Sequence, residues 1–175
     1  MMHELTLREK VITMAAVMSA LFLVALDQTI ISTALGKIVE EFQSYSSLTW
    51  IVTAYLLAST VTVPIAGKLS DLFGRRIVLL VGISIFLIGS LLSGSAGSVI
   101  MLTTWRALQG VGAGIITANA FSIIADLFTL AERPRWQGII GATFGLSSIV
   151  GPLLGGLLSD PHTIFGLTTS WRWNF

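Results

Sequence analysis

Apolar residues along this chain come in long unbroken runs, separated by short clusters of charge. Five runs stand out: Val11–Leu35, Leu48–Ala66, Ile77–Ser95, Val99–Ala125 and Gly138–Leu158. Two charges fall inside them, Asp27 in the first and Arg106 in the fourth. A bilayer core is crossed by about 20 helical residues, and each run is close to that length or longer. Lipid offers no partner to a free backbone N–H or C=O, so such runs form helices rather than open strands. The pattern therefore predicts an all-α membrane protein with helices at about 11–35, 48–66, 77–95, 99–125 and 138–158. Residues 1–10 form a water-side segment, and Thr6 with Glu9 has the spacing of a capping box that starts the first helix. The first run exceeds the roughly 7–15 apolar residues of a signal peptide, and no small-residue cleavage site follows it.

Composition agrees with the pattern. Hydrophobic residues make up 54% of the 175 and charged residues 11%, against about 25% charged in a soluble domain. Seventeen glycines suit helices that approach closely in lipid. There is no cysteine, so disulfide and thiol chemistry are excluded, and the net charge of +1 gives no sign of a nucleic-acid partner. The basic residues set the orientation. With the N-terminus in the cytoplasm, Arg8, Lys10, Lys68, Arg75, Arg76, Arg133 and Arg135 lie inside, against Lys37 and Arg172 outside. Trp50, Trp105, Trp136, Trp171 and Trp173 lie near expected helix ends, as an aromatic belt would place them.

The two intramembrane charges are the candidate chemistry. Asp27 lies eight residues before Leu35, about 12 Å below that helix end. Arg106 lies seven residues after Val99, about 10 Å down from the same side. Ions at that depth are expensive and mark functional sites by default. At similar depths the two can pair, which lowers the cost of both. The attraction favours an ionised carboxylate while burial opposes it, a balance suited to taking and releasing a proton. A static pair that only locks two helices is the plainer alternative. Gln28 and Thr29 extend the polar site next to Asp27, and Gln109 and Asn119 either line a cavity or bond between helices. His3 and His162 lie at opposite ends and make no metal site or dyad together. With no His, no Cys and one carboxylate clearly at depth, neither a metal, a cofactor nor an enzyme is expected. An internal repeat is also visible: Pro64–Asp71 reads PIAGKLSD and Pro152–Asp160 reads PLLGGLLSD, as helices two and five of an inverted repeat would. Chance among Gly, Leu, Ser and Pro is the alternative.

The stretch GKLSDLFGRR, Gly67–Arg76, between runs two and three resembles the loop signature of the major facilitator superfamily, with Gly67, Leu69, Ser70, Asp71, Gly74, Arg75 and Arg76 on the pattern and Leu72 off it. Gly67 and Gly74 are expected to permit a tight turn, and Asp71 to cap a helix. LTTWRALQGVGAG, Leu102–Gly114, is similar to that superfamily's fourth-helix motif through Arg106, Gln109, Gly110 and Gly112. LDQTIISTAL, Leu26–Leu35, resembles the first-helix motif of its drug:proton antiporters, particularly the fourteen-helix branch. Gly138, Gly151, Pro152, Gly155 and Gly156 resemble the antiporter motif of helix five, with Ser147 in place of a glycine. Packing and bending are the expected role of that set, with a kink at Gly151-Pro152.

The resemblance covers nearly the whole chain. It implies five helices of the N-terminal six-helix bundle of a transporter, with residues 11–175 a partial N-terminal domain. It implies an inner gate at the Gly67–Arg76 loop, Asp71 touching the other half and Arg75 pairing with Asp126 at the inner end of helix four. It implies proton-coupled efflux of small, amphipathic, drug-like compounds through a plasma (bacterial inner) membrane. The implied partners are the lipid bilayer, protons, the small-molecule substrate and a C-terminal half lying beyond this chain. The second reading is a truncated membrane protein without transport of its own, an assembly partner or a non-functional fragment.

Overall fold

The computed structural model describes residues 6–42, 48–159, 163–164, 167–168 and 170–175. His3, Asp160 and His162 lie outside the described residues, so the final Asp of the second repeat copy does too. Five helices form: α1 Leu7–Phe42, α2 Leu48–Phe73, α3 Arg75–Gly94, α4 Val99–Leu127 and α5 Arg133–Ser159. All five are long and apolar enough to cross a membrane. After α5 come a two-residue antiparallel hairpin, Thr163–Ile164 with Leu167–Thr168, and a 3₁₀ turn at Trp171–Asn174. The hairpin is too short to carry a period-two pattern and went unanticipated.

Thr6 and Glu9 do start α1. The Thr6 N–H donates to Glu9 Oε2 at 2.8 Å, and the Glu9 N–H reaches Thr6 Oγ1 at 3.4 Å. At the other end α1 continues to Phe42 rather than stopping near Leu35. Gly36 costs an interior helix about 1 kcal/mol, but Ile38 and Val39 beyond it are buried. α2 likewise runs to Phe73, through Pro64 and past the expected end at 66. Hydropathy falls at Lys68 because the helix leaves the apolar layer there, not because the helix ends. The expected loop Gly67–Arg76 is therefore mostly helix. Gly67 is helical, and Asp71 sits in the last turn of α2 instead of capping a helix. Gly74 alone makes the turn, at φ 91°, a conformation that disfavours any side chain. α5 begins at Arg133, five residues before the expected bound.

α4 is the central helix. Its span is the most buried of the five, and α2 and α3 pack along it. α1 pairs with α5 and meets α4 less extensively. Exchanging helices one with four and two with five maps the α2–α4 pair onto the α5–α1 pair, as an inverted repeat requires. The match does not extend to the residues. Gly67 has no neighbour where a Cβ would point, whereas its counterpart Gly155 is pressed against Thr33 and Ile30 of α1. Large apolar side chains remain exposed on the outer faces, among them Leu57, Val61, Leu91, Ile149 and Leu157. Water would not tolerate so much apolar surface, and lipid does.

The tail closes the end of the bundle where α1 ends and α4 begins. Trp171 is 3% exposed and packs among Ile31, Ala34, Ile38, Ile51 and Leu102. Its Nε1 donates to Glu41 Oε2, and Arg172 Nη1 reaches Glu41 Oε1 at 2.8 Å. Arg172 Nη2 also donates to the Ala96 carbonyl at 3.1 Å. Trp171 is thus a core residue, which corrects its placement in an aromatic belt. Trp136 stacks on Phe128 with ring centroids 4.5 Å apart, while Trp50 and Trp173 are exposed. The Glu41–Arg172 pair is 42% and 35% exposed, and such pairs contribute about 1 kcal/mol or less. Burial of the indole therefore dominates this closure. Thermal unfolding in detergent should show Trp171→Ala losing about 3–5 kcal/mol and Glu41→Gln about 1 kcal/mol or less. Equal losses would place the closure in the ion pair.

Candidate functional site

Arg106 and Gln109 are three residues apart on α4, so they share one face. Asp27 of α1 lies opposite. Arg106 Nη1 donates to both carboxylate oxygens of Asp27, at 2.9 Å to Oδ1 and 2.7 Å to Oδ2. The same Nη1 is 2.9 Å from Gln109 Oε1, and Gln109 Nε2 donates to Asp27 Oδ1 at 2.8 Å. The three side chains form a closed triangle. Asp27 is 8% exposed, Arg106 1% and Gln109 0%. Removing one partner of so buried a pair costs about 3–5 kcal/mol, because the other charge is stranded.

Not every expected site residue joins the triangle. Gln28 follows Asp27 but is exposed. Asn119 is fully buried thirteen residues beyond Arg106, roughly 20 Å along the helix. Its Nδ2 donates to the Ile115 carbonyl of its own helix at 2.9 Å, so it does not belong to the Asp27 site. Polarity alone grouped it with the site, although the thirteen-residue spacing already separates the two levels.

Tyr55 of α2 was missed. It is 1% exposed, and its ring centroid lies 4.3 Å from Arg106 Cζ. An uncharged aromatic in an apolar run carries no signal of its own. The signal lay in Gly110, one turn after Arg106. A Cβ on Gly110 would collide with the Tyr55 carbonyl, and one on Gly114 would lie 2.5 Å from the Ser59 carbonyl. Gly112 does the same for α3, where a Cβ would run into the Phe86 backbone. A Cβ on Gly89 of α3 would lie 2.7 Å from Gln109 N. The glycines after Arg106 are notches that bring two neighbouring helices onto the site.

α5 is notched in the same manner against α1. Cβ atoms on Gly151 and Gly155 would overlap Thr29 Oγ1 and Thr33 Oγ1. Thr29 Oγ1 donates to the Ser147 carbonyl across the interface at 2.9 Å. Ser147 itself is buried, and its small size keeps that approach open. Pro152 lies inside α5 and has no N–H for the Ser148 carbonyl. Gly138 and Gly156 have nothing within 4 Å of a Cβ, so the glycines of this helix fall into two groups.

Beside the α2–α3 turn, Arg75 joins α2, α3 and α4. Its Nε donates to Asp126 Oδ2 at 2.8 Å, its Nη2 lies 2.6 Å from Asp71 Oδ1, and its Nη1 donates to Ser70 Oγ. Arg76 is exposed beside it. Arg75 and Asp126 are 22% and 28% exposed, so this cluster is far better hydrated than the Asp27 triangle. Among the described residues no group of three His, Cys, Asp or Glu side chains could hold a metal ion.

A model of the Major Facilitator Superfamily matches residues 17–175. Multidrug transporter protein MdtP of Bacillus subtilis (strain 168) is 47% identical over 156 residues, covering 89% of this chain and 28% of that protein. Multidrug resistance protein 3 of the same organism is 43% identical over 151 residues, covering 86% of this chain and 28% of that protein. The chain thus spans about a quarter of the length of the curated relatives it matches. The fold is similar to the crystal structure of a bacterial homologue of the human lysosomal transporter Spinster, inward-facing and unoccupied. That similarity has a TM-score of 0.74 at 24% identity and covers 85% of this chain and 32% of that one.

The notches carry a direct test. Gly110→Ala and Gly151→Ala should each lose about 1–3 kcal/mol, since backbone or a helix-bound threonine must move. Gly156→Ala should be neutral or gain up to about 1 kcal/mol, the helix preference of alanine over glycine. Melting temperatures of the three variants in one detergent check the order. A destabilised Gly156→Ala variant alongside a tolerated Gly110→Ala would reverse the assignment.

Proposed function

Because this chain belongs to the Major Facilitator Superfamily, we propose that it forms most of the N-terminal half of a proton-coupled exporter of amphipathic, drug-like compounds. Its fold is that of a multi-pass integral membrane protein. The orientation follows the basic residues, with the N-terminus and the Arg75 cluster at the cytoplasmic face of the plasma membrane. The observation that carries the proposal is the buried Asp27–Arg106–Gln109 triangle. Among the described residues a guanidinium and an amide hold this carboxylate, which then has two stable conditions. Ionised, it is neutralised by Arg106. Protonated, it needs no counter-ion and releases Arg106, which keeps Gln109 Oε1 as an acceptor. A proton arriving from the outer side can therefore separate α1 from α4 at this point, and its departure restores the pair. The drug relationship of the named relatives supports the substrate class. The multidrug names belong to those proteins and reach this chain as part of the proposal.

The Gly67–Arg76 segment and Asp126 form the inner gate. Arg75 fixes the α2–α3 turn to α4, and Asp71 remains 54% exposed for a contact with the C-terminal half. A complete substrate path needs that second half.

In proteoliposomes carrying the complete transporter, an imposed proton gradient should drive drug movement in the wild type. Asp27→Asn should abolish that drive, a loss of at least about 100-fold in gradient-dependent rate, the factor typical of a single proton-transfer group. Drug-dependent proton flux that persists in Asp27→Asn would remove the proton role. A wild type that inserts and folds but moves neither drug nor protons would favour the non-transporting reading.

A further inference from the structure

We propose that Tyr55 is a positioning residue for the proton site: its ring is the surface that holds the Arg106 guanidinium while Asp27 is protonated. The proposal rests on reading Asp27 as that site. Three observations carry it. The Arg106 Cζ lies 4.3 Å from the Tyr55 ring centroid, inside the range of about 6 Å over which a ring face attracts a cation. The ring cannot drift away, because Gly110 seats the α2 backbone at Tyr55 directly against α4 one turn from Arg106. The guanidinium is otherwise sparsely held: Asp27 and Gln109 both take Nη1, and Nε is buried without a hydrogen-bond partner.

When Asp27 takes a proton, Arg106 keeps its charge and loses its counter-ion. No other Asp or Glu lies in the five apolar runs. The apolar runs of α2, α3 and α5 carry no charge, so Arg106 from α4 and Tyr55 from α2 are the charged and titratable groups facing Asp27. The remaining contacts of the lone guanidinium are then Gln109 Oε1 and aromatic faces, Tyr55 at 4.3 Å and Phe175 at 5.7 Å. A ring face stabilises an unpaired cation more than one already neutralised by a carboxylate. Weakening the ring therefore makes separation of the pair harder and proton binding at Asp27 weaker.

The test uses the full-length protein carrying this segment. Protonation of Asp27 is followed as the pH-dependent infrared band of its carboxyl group, assigned by its loss in Asp27→Asn. Tyr55→Phe keeps the ring and should titrate Asp27 close to the wild type. Mono-, di- and trifluorinated phenylalanine at position 55 keep the shape but progressively drain the ring face. They should shift the titration stepwise to lower pH, reaching about tenfold weaker proton binding. These substitutions leave the packing intact, so a folding defect does not cloud the result. A flat series overturns the proposal, and so does a Tyr55→Phe shift as large as the trifluoro one, which would assign the effect to the hydroxyl. Coupled transport that survives Asp27→Asn sinks the proton-site reading instead, whatever the fluorinated series shows.

Discussion

Two opposite charges buried in an apolar layer constrain this molecule more than any other contact. Neither Asp27 nor Arg106 is tolerable alone at that depth, so α1 and α4 must place them at one level and within hydrogen-bond reach. That requirement fixes the register of α1 against α4. It also explains the polarity around the pair. Gln109 serves both partners at once, accepting from Arg106 and donating to Asp27. A lysine could not replace Arg106 without cost, because its compact ammonium has no flat face to lay on Tyr55.

The second constraint is the approach of helix backbones. Lipid provides no hydrophobic drive between helices, so close packing of small residues must supply the contact energy. α4 meets this with notches on two sides, Gly110 and Gly114 toward α2 and Gly112 toward α3. α5 meets it with Gly151 and Gly155 toward α1. Of these, Gly110 lies one turn after Arg106, and Gly151 meets Thr29, two residues from Asp27. The spacing of Arg106, Gln109 and Gly110 is therefore one geometric unit: two side chains for the carboxylate, and one missing side chain to admit the tyrosine.

Much of this was legible before any coordinates. Runs of apolar residues located all five helices, because length in lipid is a direct physical requirement. Depth arithmetic from the ends of the runs placed Asp27 and Arg106 at one level. The failures share a cause. Hydropathy reports where a helix leaves lipid, so it ended α2 at Ala66 and turned the final helical turns into a loop. Asn119 was grouped with the site on polarity alone, although thirteen residues put it about 20 Å from Arg106 along α4. Tyr55 and Trp171 were unremarkable as aromatics in apolar surroundings. Only contacts from distant parts of the chain, Gly110 in one case and Glu41 in the other, give them their positions.

The helices divide into two groups around the pair. α1 is notched to α5 through Thr29 and Thr33, and α4 is notched to α2 and α3. Asp27 belongs to the first group and Arg106 to the second. Thr29, two residues from Asp27, also bonds the Ser147 carbonyl of α5. A change at the carboxylate therefore acts on α1 and α5 together, and a change at the guanidinium acts on α4, α2 and α3 together. Close notches, helix backbone on backbone around α4 and glycine on threonine between α5 and α1, leave little room to slide. The soft element is the seam between the groups, where the ion pair sits and α1 meets α4 less extensively. The ion pair thus loads the contact between the two groups, while the same charge placed within either group would only strain its packing.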